Sequence, residues 1–181
     1  HASVGISQQS VVSTRDALAQ QVDFIQQQVG WPVIVEQFIA GAEYTASFVT
    51  QPATSMPYIK TLDFSRLADG YFPIVSYDCK WTESAYEYTA ISVVPLDAHF
   101  PATHSAAITQ IAQATVAALG ITSYTNIDIR MDDAGTCYVI DVNPNCDLHP
   151  DAGMATVTGY AGISYDALIH TIAIDALEHA Q

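Results

Sequence analysis

The stretch NIDIRMDDAGTCYVIDVNPN, Asn126 to Asn145, alternates acidic and amide side chains with apolar ones on either side of a turn. Read as a β-hairpin, with period-2 alternation, it puts Asn126, Asp128, Asp141 and Asn143 on one face. If the turn is DAGT, Asp128 faces Asp141 and Asn126 faces Asn143; if it is DDAG, Asp128 faces position 139. Both registers keep the four polar residues together, whereas a three-residue loop would flip the parity. Ile127, Ile129, Met131, Tyr138, Ile140 and Val142 are the expected core face. Like charges directly across a strand pair repel, so the polar face needs a compensating cation. Two carboxylates and two amides backed by an apolar wall make an all-oxygen site suited to Mg²⁺ or Mn²⁺. The alternative is an ordinary solvent-facing hairpin with scattered polar residues.

The elements that must position this hairpin can be read along the chain. STRDALAQQVDFIQQQVG has helical spacing, with Ser13 or Thr14 as cap, Leu18, Val22, Ile25 and Val29 as the apolar stripe, and Gly30 after the end. PVIVEQF and EYTASFV read as strands joined by the turn IAGA, and a further strand is expected around Tyr58 to Leu62. Another is expected in YTAISVV. THSAAITQIAQATVAALG is a second helix, with Ile108, Ile111, Ala112 and Leu119 inward. After a Pro-rich loop, NPNCDLHPDAG, a last helix starts from the cap Ser164 and turns Leu168, Ile169, Ile172 and Leu177 inward. Interleaved helices and frequent hairpins predict an α+β fold, with mostly antiparallel sheet flanked by helices.

Composition bounds the partners. Five Lys and Arg face 19 Asp and Glu, a net charge of −14, and charged residues make up only 13%. That balance argues against nucleic acid and anionic membranes as partners. The low charge density fits secretion or burial in a homo-oligomeric assembly. No apolar run approaches the roughly 20 residues that span a bilayer. The chain starts at His1 without a methionine or leader, as a processed chain, a fragment or the ordered part of something longer would. Cys79, Cys137 and Cys146 are too few for a disulfide scaffold; one bridge and one thiol, or three thiols, both fit. Cys146 has no evident histidine partner for a nucleophile role, since His149 lies beyond a turn.

With these segments in view, the sequence resembles the ATP-grasp superfamily, and its D-alanine–D-alanine ligase-like branch most of all. Four motifs carry the resemblance in order: ASVGIS near the start, VIVEQFIAGAEYTASFV, YDCKW, and the hairpin with its following loop. The resemblance implies a phosphate-covering loop at Ser3 and Gly5. It implies an adenine hinge along the backbone of Glu36, Gln37 and Ile39, and a ribose contact at Glu43. Lys80 would be the catalytic lysine that meets phosphate or acyl-phosphate oxygens. Asp128, Asp141 and Asn143 would hold Mg²⁺ or Mn²⁺ against ATP, and the loop 145–153 would border the second substrate. Residues 1–56 would then be a partial nucleotide lobe, with the phosphate loop, a helix and the hinge strands. Residues 57–181 would be the C-terminal lobe with the metal hairpin.

The implied chemistry is ATP-dependent ligation of a small carboxylate to an amine through an acyl-phosphate. The family pattern also implies an upstream N-terminal segment with a phosphate-binding lysine, outside this chain. It implies an arginine two residues before the metal-binding Asp, where this sequence has Asn126. Losing one well-placed phosphate-stabilising donor costs about 2.7–4 kcal/mol of transition-state stabilisation. Two readings therefore follow: part of a cytoplasmic carboxylate–amine ligase, or a non-catalytic, self-assembling and secreted reuse of the ATP-grasp fold.

Overall fold

The structure, a computed structural model, describes residues 3–30, 32–52, 55–96 and 101–178. Ala2, in the expected phosphate loop, and residues 53 and 54, in the loop QPATSMP, lie outside that set. In chain order the elements are α1 (Arg15–Val29), β1 (Ala42–Thr50), β2 (Tyr58–Asp63), α2 (Tyr77–Trp81) and α3 (Tyr86–Ala90). They continue with β3 (Ser92–Pro95), α4 (Ala102–Leu119), β4 (Ser123–Met131), β5 (Cys137–Asn143), α5 (Gly153–Tyr160) and α6 (Tyr165–Glu178). The five strands form one sheet in the order β3-β2-β1-β4-β5. The pairs β1–β2, β1–β4 and β4–β5 are antiparallel, so the fold is α+β as the alternating patterns indicate. Among the described residues no helix is long and apolar enough to cross a membrane.

The chain divides into two compact units. One comprises residues 1–38 and 63–92, the other residues 39–62 and 93–181. In the first, α1 starts at Thr14, whose side chain accepts from the Ala17 N–H, and ends at Gly30 in the left-handed conformation. Gln8 ties the N-terminal segment to the later one: its Oε1 accepts from the Phe72 N–H at 2.7 Å and its Nε2 donates to Glu87 Oε1 at 2.7 Å. Ser76 Oγ donates to the same carboxylate oxygen at 2.8 Å. A buried Glu87 is thus held by two donors, which offsets its desolvation.

The second unit holds the sheet. One face carries Tyr44, Ala46 and Phe48 of β1 with Ile127, Ile129 and Met131 of β4, packed on Ile108, Ala112 and Val116 of α4. On the opposite face, at one end of the sheet, Val49 packs with Cys146, Met154 and Leu168, and Tyr58 and Tyr124 flank them. These two apolar clusters fix which sheet residues face where.

Several expectations need correction. Residues 32–40 belong to no strand, and Ile34 and Val35 are exposed. Their apolar run reads as a strand, but the segment is irregular. YTAISVV divides between α3 and β3, and YDCKW, for which no element was expected, forms a short helix. Leu119 and Leu177 are exposed; α4 turns Val116 inward instead. The loop before the last helix leads into a helix the sequence did not signal, α5, with Met154 and Val157 buried.

Candidate functional site

The hairpin of β4 and β5 pairs Asn126 with Asn143 and Asp128 with Asp141. Nearer the turn the register differs: Ile129 faces Val139, Arg130 faces Tyr138 and Met131 faces Cys137. Two departures from a simple hairpin cancel. The five residues between Met131 and Cys137 flip the parity, and a bulge at Ile140 flips it back. Cys137, Val139 and Val142 therefore pack on the core, while Tyr138 and Ile140 are exposed, not core as alternation predicts. The bulge leaves Ile140 and Asp141 both exposed in succession, so it re-aims the acidic side chain at the strand's rim.

Across β1 and β2 the polar face extends into three rows. The first sets Glu43 opposite Arg130, itself opposite Tyr138. The second runs Lys60, Thr45, Asp128, Asp141, and the third Tyr58, Ser47, Asn126, Asn143. In the first row Arg130 donates from Nε at 3.1 Å and Nη2 at 2.8 Å to Glu43 Oε2, and from Nη1 at 2.8 Å to the Ile39 carbonyl. Both side chains are largely buried, with 11% of the Glu43 side chain open to solvent. In the second row Thr45 Oγ1 donates to Asp128 Oδ1 at 2.8 Å. In the third Ser47 Oγ donates to Asn126 Oδ1 at 2.7 Å, and Asn143 Oδ1 accepts from the Asn145 N–H at 3.1 Å.

The expected site residues fall as follows. Asp128, Asp141 and Asn143 share the polar face of one hairpin. Glu43 stands one row away, with its carboxylate on Arg130, and the Ile39 carbonyl takes the same guanidinium. Glu36 and Gln37 lie exposed in the irregular segment. Ser3 and Gly5, in the same unit as Glu36 and Gln37, form a turn with left-handed backbone at both residues. Ser3 Oγ donates to the Val75 carbonyl at 2.8 Å and the Tyr77 N–H donates to the Ile6 carbonyl at 2.9 Å. That turn is therefore laced to the start of α2, whose last turn carries the exposed Lys80.

Thr45, Lys60 and Arg130 were missed as members of this face. Arg130 was within reach, because two residues from Asp128 on one strand means the same face. Thr45 and Lys60 require the β1–β4 and β1–β2 registers, which no local pattern encodes. Cys146 is buried with Met154 and Leu168, and burial pushes its thiol up to about 11, so it is protonated at neutral pH and unsuited to nucleophilic attack. All three cysteines are free thiols.

The donor chemistry sets what the face can hold. Among the described residues no three His, Cys, Asp or Glu side chains cluster to hold a metal ion. A cation here would rest on two carboxylates and an amide oxygen. That lean all-oxygen set fits Mg²⁺, which keeps several waters and takes one or two carboxylates together with substrate phosphates.

An antiparallel sheet with helices on it and two facing carboxylates on one hairpin give the arrangement that the ATP-grasp resemblance implies. The family described as D-ala D-ala ligase C-terminus matches residues 2–174, and the chain belongs to that family. It is 29% identical over 143 residues to the D-alanine–D-alanine ligase of Pediococcus pentosaceus, covering 78% of this chain and 36% of that protein. It is likewise 29% identical over 138 residues to the enzyme of Laribacter hongkongensis, covering 75% and 39%. The chain thus spans well under half the length of the curated relatives it matches. Among solved structures, the D-alanine–D-alanine ligase of Bacillus anthracis complexed with ATP aligns with a TM-score of 0.68 at 20% identity, over 92% of this chain and 48% of that one. VanG D-Ala:D-Ser ligase of Enterococcus faecalis aligns at 0.65 and 17%, over 90% and 43%. At these identities the two structures establish the fold.

Proposed function

We propose that the chain is the metal- and phosphate-handling part of an ATP-dependent carboxylate–amine ligase. The observation that carries this reading is the direct opposition of Asp128 and Asp141, with Asn143 on the same hairpin face. Asp128, held by Thr45, and Asp141, turned outward by the bulge, would hold Mg²⁺ or Mn²⁺. When bound, that ion neutralises charge on the transferring phosphoryl group. The Ser3–Gly5 turn would present backbone N–H groups to phosphate oxygens, and Lys80 would bring a mobile cation to them. The segment Glu36 to Ile39 and Glu43 would bind the nucleoside, with Arg130 holding the Glu43 carboxylate in place. Isothermal titration with Mg-ATP tests this: heat from wild type and none from D128N is expected. Absence of heat at millimolar nucleotide would sink it.

One observation favours a second reading. Asn126, where the resemblance implies an arginine, is a neutral amide bonded to Ser47 inside the sheet face. An ATP-grasp fold kept as a non-catalytic assembling protein would tolerate that exchange. Light scattering separates the two: a monomer that hydrolyses ATP ends the second reading.

A further inference from the structure

Of the five Lys and Arg residues, two, Lys60 and Arg130, fall in the unit that carries the acidic hairpin. Arg130 is engaged by Glu43 and the Ile39 carbonyl one row away. Lys60 stands in the acidic row itself, opposite Thr45, which is opposite Asp128, which is opposite Asp141. It is 8% exposed, unusual for a lysine, whose burial is costly without compensating charge. Two strand spacings separate it from Asp128, about 10 Å backbone to backbone, which a lysine side chain largely spans.

Its ammonium rests against the start of α5, where a Cβ placed on Gly153 would lie 2.5 Å from Lys60 Nζ. Cys146 packs against Met154 of the same helix, and the Lys60 charge lowers its thiol while Asp128 raises it, both less than burial does.

We propose that Lys60 is a positioning residue of this site, the resident counter-charge of the Asp128–Asp141 row. It balances the carboxylates in the metal-free protein and sets how tightly the row takes a divalent cation. The inference rests on the metal reading of the hairpin. An ammonium and a divalent ion against the same carboxylates repel each other, so Lys60 weakens the binding of metal alone. A metal–triphosphate complex carries net negative charge, so the same lysine strengthens its binding.

The test is titration of the whole chain with Mn²⁺ alone, followed by the electron paramagnetic resonance signal of free Mn²⁺, and separately with Mg-ATP by calorimetry. Relative to wild type, K60M should bind Mn²⁺ about tenfold more tightly and Mg-ATP about tenfold more weakly. K60R, which keeps the charge, should return both toward wild type. A damaged site would weaken both ligands, so the opposite signs exclude a merely structural effect. Unchanged or weaker Mn²⁺ binding in K60M overturns the proposal while leaving the ligase reading intact. Wild type that holds no Mn²⁺ fails the metal reading; Lys60 as counter-charge then stands only if K60M gains Mn²⁺ binding, and falls otherwise. Wild type that binds Mn²⁺ but no Mg-ATP fails the nucleotide reading, and the Mn²⁺ comparison still decides the role of Lys60.

Discussion

Two neighbouring rows of one sheet face solve opposite electrostatic problems. In the Glu43–Arg130 row unlike charges oppose each other, buried and joined by two hydrogen bonds between the side chains. In the next row, Asp128 and Asp141 oppose each other with like charge, half-buried and exposed. The first row satisfies itself and contributes to the fold. The second sets two like charges against one lysine, Lys60, and is completed by further positive charge, which is the mark of a site rather than of a scaffold. The same backbone geometry serves both, and a shift of two residues along β4 separates them.

The largest effect should come from unbalancing the closed row. Arg130→Met strands the buried Glu43 carboxylate and should lower unfolding free energy by about 3–5 kcal/mol in urea titration. Replacing both partners, E43L with R130M, should recover most of that loss. A single-variant cost below about 1 kcal/mol would mean the row is an ordinary surface pair, and the contrast would collapse. Next in size, Asp128→Asn should weaken Mn²⁺ binding by more than about a hundredfold, beyond the loss typical of an outer-shell partner. Its effect on unfolding in metal-free buffer should be small. A large stability loss with unchanged Mn²⁺ affinity would exchange the roles assigned to the two rows.

How much of this was legible depends on the range of the interaction. The polar set on β4 and β5 follows from alternation within 18 residues, Asn126 to Asn143, and the caps at Thr14 and Gly30 follow from local chemistry. The pairing of Asp128 with Asp141 was legible for an incomplete reason. The five-residue turn and the bulge at Ile140 each break simple alternation, and only together do they restore it. Nothing in CYVIDVN marks that bulge, so Tyr138 and Ile140 read as core although they are exposed. Glu43 and Arg130 are 87 residues apart, and their meeting depends on the β1–β4 register. Helix α5, GMATVTGY, carries glycines and β-branched residues that disfavour a helix locally. Burial of Met154 and Val157 overrides that preference.

Cys146 offers a smaller and independent view of the second row. Its thiol is raised to about 11 from an ordinary 9, chiefly by burial. The unfolded chain releases this proton first, so between these values the unfolded state binds fewer protons. Stability from this group is full below about pH 9 and is lost as pH rises toward about 11. The shift corresponds to roughly 2–3 kcal/mol. Cys146→Ala should flatten that part of the pH profile. Because Lys60 pulls the thiol down and Asp128 pushes it up, K60M should slow Cys146 alkylation at pH 9 and D128N should speed it. Equal rates in all three proteins would place the row too far from the thiol for the charge balance argued above.

The smallest effect bears most directly on the contrast between the rows. Asp141→Asn removes one of two like charges facing each other across β4 and β5 while keeping shape and hydrogen-bonding capacity. In metal-free, low-salt buffer it should raise stability by about 0.5 kcal/mol, because opposed like charges destabilise a strand pair by that order. The gain is modest because Asp141 is exposed, and it should shrink as salt screens the repulsion. With saturating Mg²⁺ the order should reverse. Ligand binding to the folded state stabilises wild type by about 2.7 kcal/mol at a hundredfold excess over Kd, and D141N lacks most of that binding. Thermal melts of both proteins, with and without Mg²⁺, give four numbers and one crossing. If D141N is the less stable protein under both conditions, Asp141 contributes to the fold much as Glu43 does. The second row would then be a scaffold like the first.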